Sequence, residues 1–121
     1  MAKHIMIVDD DHNILEFMHL ALEFEGYDVR VCTSGKELQH MQRNELPDLI
    51  LLDVRLVNED GRTICKELKS NKQTKDVPII MLSAHISERK LREECPVDDF
   101  LAKPFELDTL LYKVEKHLPV S

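Results

Sequence analysis

Asp48-Leu49-Ile50-Leu51-Leu52-Asp53 is the stretch whose reading decides the architecture. Its four successive apolar residues lack the in-and-out alternation of a half-exposed strand, and acids bound them on both sides. A short strand buried on both faces belongs in the middle of a parallel sheet with helices layered above and below. Working outward, similar apolar runs occur at Ile5 to Val8 and at Val77 to Leu82, where Pro78 fits an early strand position. Amphipathic segments of helical period separate the runs, so the chain reads as five β-α units.

In detail, strand one falls near His4 to Val8. A helix is predicted over Asn13 to Glu25, where Ile14, Phe17, Met18, Ala21 and Leu22 recur at helical spacing and Gly26 stops it. Strand two, near Tyr27 to Cys32, alternates polar and apolar residues as an edge strand does. Ser34 to Glu37 then reads as a capping box opening a helix that ends before Pro47. After strand three, Asp48 to Asp53, a polar loop from Asn58 to Gly61 leads to a helix near Arg62 to Lys69, with Ile64, Cys65 and Leu68 on one face. Strand four is Val77 to Leu82. Ser87 caps a short helix through Glu94, Pro96 breaks it, strand five lies near Asp99 to Ala102, and Glu106 to Leu118 forms the last helix.

The 121 residues suit one domain spanning 1–121, with no internal repeat or linker. A 43% hydrophobic and 32% charged composition with only 3 Gly and 5 Pro is globular, not low-complexity. Sixteen Lys plus Arg against 23 Asp plus Glu give a net charge of −7, which works against direct nucleic-acid binding. The apolar runs fall far short of the roughly 20 residues a bilayer span needs. The N-terminus also lacks the charged, apolar and small-residue order of a signal peptide, so no membrane association and a cytoplasmic location are expected. Three Cys without a CxxC pair and six scattered His predict neither a disulfide framework nor a zinc site.

With the strands placed, Asp9 and Asp10, Asp53, Ser83 and Lys103 all fall at or just beyond C-terminal strand ends. In a parallel sheet those ends share one edge, where doubly wound folds form their ligand crevice. Singly, each has a bland reading. Asp53 could cap a loop, Asp9 and Asp10 could be turn residues, Lys103 could lie on the surface, and Ser83 could bond its own backbone. Asp11 and His12 read as helix-entry residues and Phe100 as a core aromatic. The convergence favours a site, because three carboxylates in one crevice repel unless a cation joins them. Oxygen-only ligands suit a hard ion such as Mg2+. Cation, ammonium and hydroxyl together could hold the three outer oxygens of a phosphoryl group on Asp53.

Four segments carry a resemblance across essentially the whole chain: Ile5-Met6-Ile7-Val8-Asp9-Asp10-Asp11, Leu49-Ile50-Leu51-Leu52-Asp53, Ile79-Ile80-Met81-Leu82-Ser83-Ala84, and Asp98-Asp99-Phe100-Leu101-Ala102-Lys103-Pro104-Phe105. In this order and strand context the sequence resembles the receiver domain of two-component response regulators. The resemblance implies a single-domain α/β fold, the flavodoxin-like (βα)5 doubly wound sheet of five parallel strands in the order 2-1-3-4-5. It also implies that a sensor histidine kinase, or a His-containing phosphotransfer protein, donates phosphoryl to Asp53 in a Mg2+-dependent step. Asp53 is then the phosphorylated nucleophile. By the same resemblance the metal ligands are Asp10, Asp53, the main-chain carbonyl of Arg55, and Asp9 largely through water. Lys103 pairs with the phosphoryl group, Ser83 supplies the hydroxyl that moves onto it, and Phe100 is the aromatic whose rotation reports the change. Arg55 and His85 stand at positions that tune phosphoryl lifetime, and bulky Arg55 is expected to shield the group. Such a chain catalyses its own phosphorylation and dephosphorylation but serves chiefly as a switch, passing its response to a downstream effector protein.

The sequence departs from the family pattern at Val57, where Pro is common, and a looser loop is expected there. Pro96-Val97 replaces the usual Gly-Ala, and the Ser83 to Lys103 interval is a couple of residues short. Helix four is therefore expected to be truncated, and dimerisation through it is not implied. Only Pro119, Val120 and Ser121 follow the last helix, so no output domain is expected within the chain. It reads equally as a stand-alone receiver or as part of a longer regulator. Two alternatives are a pseudo-receiver that binds partners without phosphorylation, and a haloacid-dehalogenase-like phosphatase with Asp9 as nucleophile.

Overall fold

Successive side chains of a strand point to opposite faces, and along the inner strands of this chain both faces are apolar. The computed structural model describes residues 2–39, 41 and 43–119. Its elements run β1 (His4–Val8), α1 (His12–Phe24), β2 (Asp28–Cys32), α2 (Lys36–Gln39), a 3-10 turn at Arg43–Glu45, and β3 (Leu49–Asp53). Then follow β4 (Arg55–Leu56), β5 (Glu59–Asp60), α3 (Gly61–Ser70), β6 (Ile79–Ser83), α4 (Glu88–Glu94), β7 (Asp99–Ala102) and α5 (Leu107–His117). The sheet has the order β2-β1-β3-β6-β7, with every neighbouring pair parallel. Counting only these five strands, that is the expected 2-1-3-4-5.

Alternation divides the core cleanly. Met6, Val8, Ile50, Leu52, Ile79, Met81 and Phe100 pack with Leu38 of α2, Ile64, Cys65 and Leu68 of α3, and Leu91 of α4. Their neighbours Ile5, Ile7, Leu49, Leu51, Ile80, Leu82 and Leu101 face α1 and α5 through Leu15, Met18, Leu22, Leu110 and Val114. Every residue of β3 and β6 is buried, whereas β2 is mostly exposed, as an edge strand should be. Asp11 caps α1 by accepting the Asn13 and Ile14 N–H groups, confirming its helix-entry reading. Ser87 caps a short α4, also as expected.

Three local readings change. The helix expected to run from Ser34 towards Pro47 is helical only at Lys36–Gln39 before the 3-10 turn, and the stretch it would need at residues 40 and 42 lies outside the described residues. Ser34 does accept the Lys36 N–H, but its hydroxyl donates to Glu59 rather than closing a box with Glu37, which takes the Cys32 thiol instead. β6 starts at Ile79 because the N–H of Val77 is used in a turn to Thr74. The third change is at the polar loop after β3, which is a small antiparallel hairpin pairing Arg55 with Asp60 and Leu56 with Glu59. Asn58 turns it at φ 61°, a left-handed conformation that Asn tolerates better than most residues.

The start of β7 is fixed by its two acids. Asp98 accepts the Ile79 N–H and the Lys69 ammonium, each at 2.8 Å. Asp99, buried, accepts the Phe100 N–H, Lys113 Nζ at 3.0 Å and His117 Nε2 at 2.7 Å, joining the strand to α5. Burial opposes ionisation of Asp99, yet these three partners outweigh it and hold the carboxyl at about 2. A carboxyl below its unfolded value of about 3.9 stabilises the fold above that pH and loses the contribution as pH falls toward 2. Asp99→Asn is therefore expected to lower stability at neutral pH by about 1–3 kcal/mol and to flatten the acid loss. Urea midpoints measured across that pH window check this.

Candidate functional site

The C-terminal edge of the sheet gathers the residues singled out from the sequence. Asp9 extends β1 by one more bond, its N–H donating to the Cys32 carbonyl at 3.1 Å, and its side chain is 0% exposed. Asp9 Oδ1 accepts the Asp11 N–H at 2.9 Å, and Oδ2 accepts Lys103 Nζ at 2.7 Å. Asp53, the last residue of β3, is 7% exposed. Its Oδ2 accepts the same ammonium at 3.0 Å, and its Oδ1 accepts the Arg55 N–H at 3.2 Å. Lys103 reaches both acids from just beyond β7, where its N–H donates to the Ser83 carbonyl at 2.8 Å and a cis bond links it to Pro104. Asp10 is half-buried, and its Oδ2 accepts the Val57 N–H at 2.9 Å.

One carboxylate oxygen from each of Asp9, Asp10 and Asp53 lies within 4.8 Å of the other two. Three carboxylates against one ammonium leave two negative charges, which a divalent cation neutralises. The donor set is all oxygen, as a hard ion prefers. Burial and then the Asp9 charge push the Asp53 carboxyl up to about 6, against the opposing pull of Lys103 and the Arg55 N–H. Burial would discharge Lys103, but Asp9 and Asp53 outweigh it and raise its pKa. The site is thus strained by its own negative charge and relieved by positive charge.

Beside Asp53 opens a pocket of about 90 Å³, lined by Asp53, Arg55, Ser83, His85, Ile86 and Lys103 among others. Ser83 lines this pocket, and its hydroxyl is turned into the β6-α4 loop, donating to the Ile86 carbonyl at 2.9 Å and accepting the Ile86 N–H at 3.0 Å. Arg55 and His85 are exposed at its rim. Phe100 stands apart from the carboxylates, buried among the α2, α3 and α4 layer with the Arg92 guanidinium 4.7 Å from its ring centre. So the structure unites Asp9, Asp10, Asp53 and Lys103, places Ser83, Arg55 and His85 around the adjoining pocket, and leaves Phe100 outside both.

Sequence reasoning missed one part of the site. The Val57 amide is a backbone group, which no residue pattern advertises. Outside the site, the Arg92 guanidinium over the Phe100 ring is a second contact that the sequence does not advertise. Gly61, at the end of the polar loop expected from the sequence, serves close approach: a Cβ there would meet the Asp53 carbonyl oxygen at 2.1 Å.

Comparison with known proteins identifies the family of this fold. A model of the response regulator receiver domain matches residues 5–115. The DNA-binding dual master transcriptional regulator RpaA of Synechocystis is 37% identical over 112 residues, covering 91% of this chain and 46% of that protein. Response regulator MprA of Mycolicibacterium vanbaalenii is 35% identical over 116 residues, covering 94% of this chain and 49% of that protein. The chain thus spans about half the length of these curated relatives. Among solved structures, the receiver domain of a sensor histidine kinase from Pseudomonas aeruginosa superposes with a TM-score of 0.84 at 28% identity, covering 97% of this chain and 98% of that one. That structure has a magnesium ion coordinated in its active-site cleft. Among the described residues no helix is long and apolar enough to cross a membrane. With the five-stranded order, the acidic edge and a family match over nearly its whole length, this chain belongs to the response regulator receiver domain family.

Proposed function

We propose that the chain accepts a phosphoryl group on Asp53 from a histidine of a sensor kinase or of a phosphotransfer protein, and passes the change to a downstream effector. One observation carries the reading. Of the three clustered carboxylates, Asp53 alone lines the pocket, and Lys103 already holds one of its oxygens. In the transfer, an Asp53 Oδ–P bond forms as the donor's N–P bond breaks, and the electron pair of that bond leaves on the imidazole nitrogen. A bound Mg2+, held by Asp10, Asp53, the Arg55 carbonyl and Asp9 through water, would offset charge on the phosphoryl oxygens.

Lys103 pairs with one phosphoryl oxygen at the cost of its bond to Asp53. Ser83 releases Ile86 and donates its hydroxyl to another, and the new contacts bias the β6-α4 loop and Phe100 toward a second arrangement. Arg55 and His85 screen the pocket mouth from attacking water. The phosphatase alternative asks Asp9 to be the nucleophile, but its side chain is wholly buried and, unlike Asp53, it does not line the pocket. The reading places the chain in the cytoplasm, and its charge of −7 speaks for protein partners over nucleic acid.

The test needs no cognate kinase. Incubated with acetyl phosphate and Mg2+, the wild type should gain one phosphoryl by intact mass, and borohydride trapping should place it at Asp53. Asp53→Asn should gain none. Label on another residue, or none on a folded wild type, would overturn the proposal, the latter in favour of a pseudo-receiver.

A further inference from the structure

Asp10 is held by a backbone donor. The Val57 N–H reaches Asp10 Oδ2 at 2.9 Å across 47 residues of chain, from the turn of the β4-β5 hairpin to the segment after β1. Proline, common in the family at this position, has no N–H and could not make this bond. The donor is itself firmly mounted. Arg55 pairs with Asp60 and Leu56 with Glu59 across the hairpin. Glu59 Oε1 accepts the Ser34 hydroxyl at 2.9 Å and the Gly35 N–H at 3.0 Å, tying the hairpin to the loop after β2. Asp60 caps α3 through the Arg62 N–H at 2.9 Å, and the Gly61 N–H donates to the Val54 carbonyl at 2.7 Å. These tertiary bonds act where the ring constraint of a proline would have acted, and the amide exchange measured below decides whether the loop is looser.

While Val57 holds Asp10, the Asp10 carboxylate stays within 4.8 Å of those of Asp9 and Asp53. The bond and the metal-ready grouping therefore coexist. An ionised carboxylate has about four lone-pair sites, so one N–H leaves ample capacity for a cation. A donor that fixes a ligand's rotamer removes the entropy that a freely turning side chain loses on binding metal, and the outer partners of metal ligands act in this way. We infer that the Val57 amide is a positioning donor, which pre-orients Asp10 and raises the affinity of the site for Mg2+ before any phosphoryl arrives. The inference rests on the Mg2+-dependent phosphoacceptor reading and adds to it a backbone group in place of the family's proline.

The experiment is Mg2+ titration by calorimetry on the full chain, as wild type, Val57→Ala and Val57→Pro, with thermal midpoints in EDTA and amide exchange by NMR. Val57→Ala keeps the N–H and should match the wild type. Val57→Pro should weaken Mg2+ binding about three- to tenfold with little change in the metal-free midpoint, a split that a merely structural role would not produce. In the wild type the Val57 amide should exchange slowly, and Asp10→Ala should speed it. This exchange test stands even if proline disturbs the hairpin. Wild-type Mg2+ affinity in Val57→Pro, an equal loss in Val57→Ala, or a Val57 amide exchanging as in an unstructured peptide would each overturn the inference alone. A wild type that binds neither Mg2+ nor a phosphoryl mimic would overturn the phosphoacceptor reading with it.

Discussion

Lys103→Met is expected to destabilise the metal-free protein by about 3 kcal/mol, since removing one partner of a buried ion pair leaves uncompensated charge behind. Lys103 Nζ is the cation between Asp9, whose side chain is wholly buried, and Asp53. Without it, burial and the Asp9 charge act on Asp53 unopposed by ammonium, and its carboxyl takes up a proton closer to neutral pH. Even in the wild type, Asp53 at about 6 lies above its unfolded value. Between roughly pH 4 and 6 the folded state therefore binds more protons than the unfolded one, and metal-free stability falls as pH rises through that window. Mg2+ should narrow the gap between variant and wild type, because the variant presents three unbalanced carboxylates to the ion. Urea denaturation in EDTA and in Mg2+ checks both points. Equal stability of the two proteins in EDTA would show that the ammonium is not what offsets the acids.

Gly61→Ala should be nearly as severe and should reach the site from outside it. Its Cβ would lie 2.1 Å from the Asp53 carbonyl oxygen and 3.0 Å from Val54 Cα, so backbone at the end of β3 must move. A loss of about 2–4 kcal/mol follows from overpacking against atoms that cannot rotate away, and Asp53 should be displaced with its strand end. Gly35→Ala provides the contrast. There the nearest atom is Ile64 Cδ1 at 2.3 Å, the far end of a side chain rather than backbone, so the loss should be smaller. Circular dichroism melts of both variants, with Mg2+ titration of the folded Gly61→Ala protein, test the ordering. A Gly61→Ala protein as stable as Gly35→Ala would contradict it.

How much of this was legible in the sequence follows from where each signal resides. The run Leu49 to Leu52 announced a doubly covered strand because burial on both faces leaves no polar position to interrupt it. Asp9, Asp10, Asp53, Ser83 and Lys103 were legible for the complementary reason: polar residues that end apolar strands mark one edge of a parallel sheet. The short α2 was not legible. The groups that seemed to form its capping box go elsewhere: the Ser34 hydroxyl donates to Glu59, 25 residues away, and Glu37 accepts the Cys32 thiol at the end of β2. The hairpin after β3 escaped notice because strands of two residues carry no periodicity, and its order comes from contacts with Asp10, Ser34 and Gly35. Ser83 was placed correctly at the edge, but its bond partner in the resting loop, Ile86, depends on the path of that loop. Phe100 belongs to the core on its strand's alternation alone, and its neighbour Arg92 became visible only once α4 was laid across it.

The most direct measurement is fluorine NMR of the chain with beryllofluoride, a phosphoryl mimic, with and without Mg2+, on the wild type and on Asp53→Asn and Asp9→Asn. The account expects bound fluorine signals in the wild type that require Mg2+ and are absent in Asp53→Asn, with amide shifts spreading from Ser83 toward Phe100. Bound signals that persist in Asp53→Asn, or that are lost only in Asp9→Asn, would contradict the assignment of Asp53 as the phosphoacceptor.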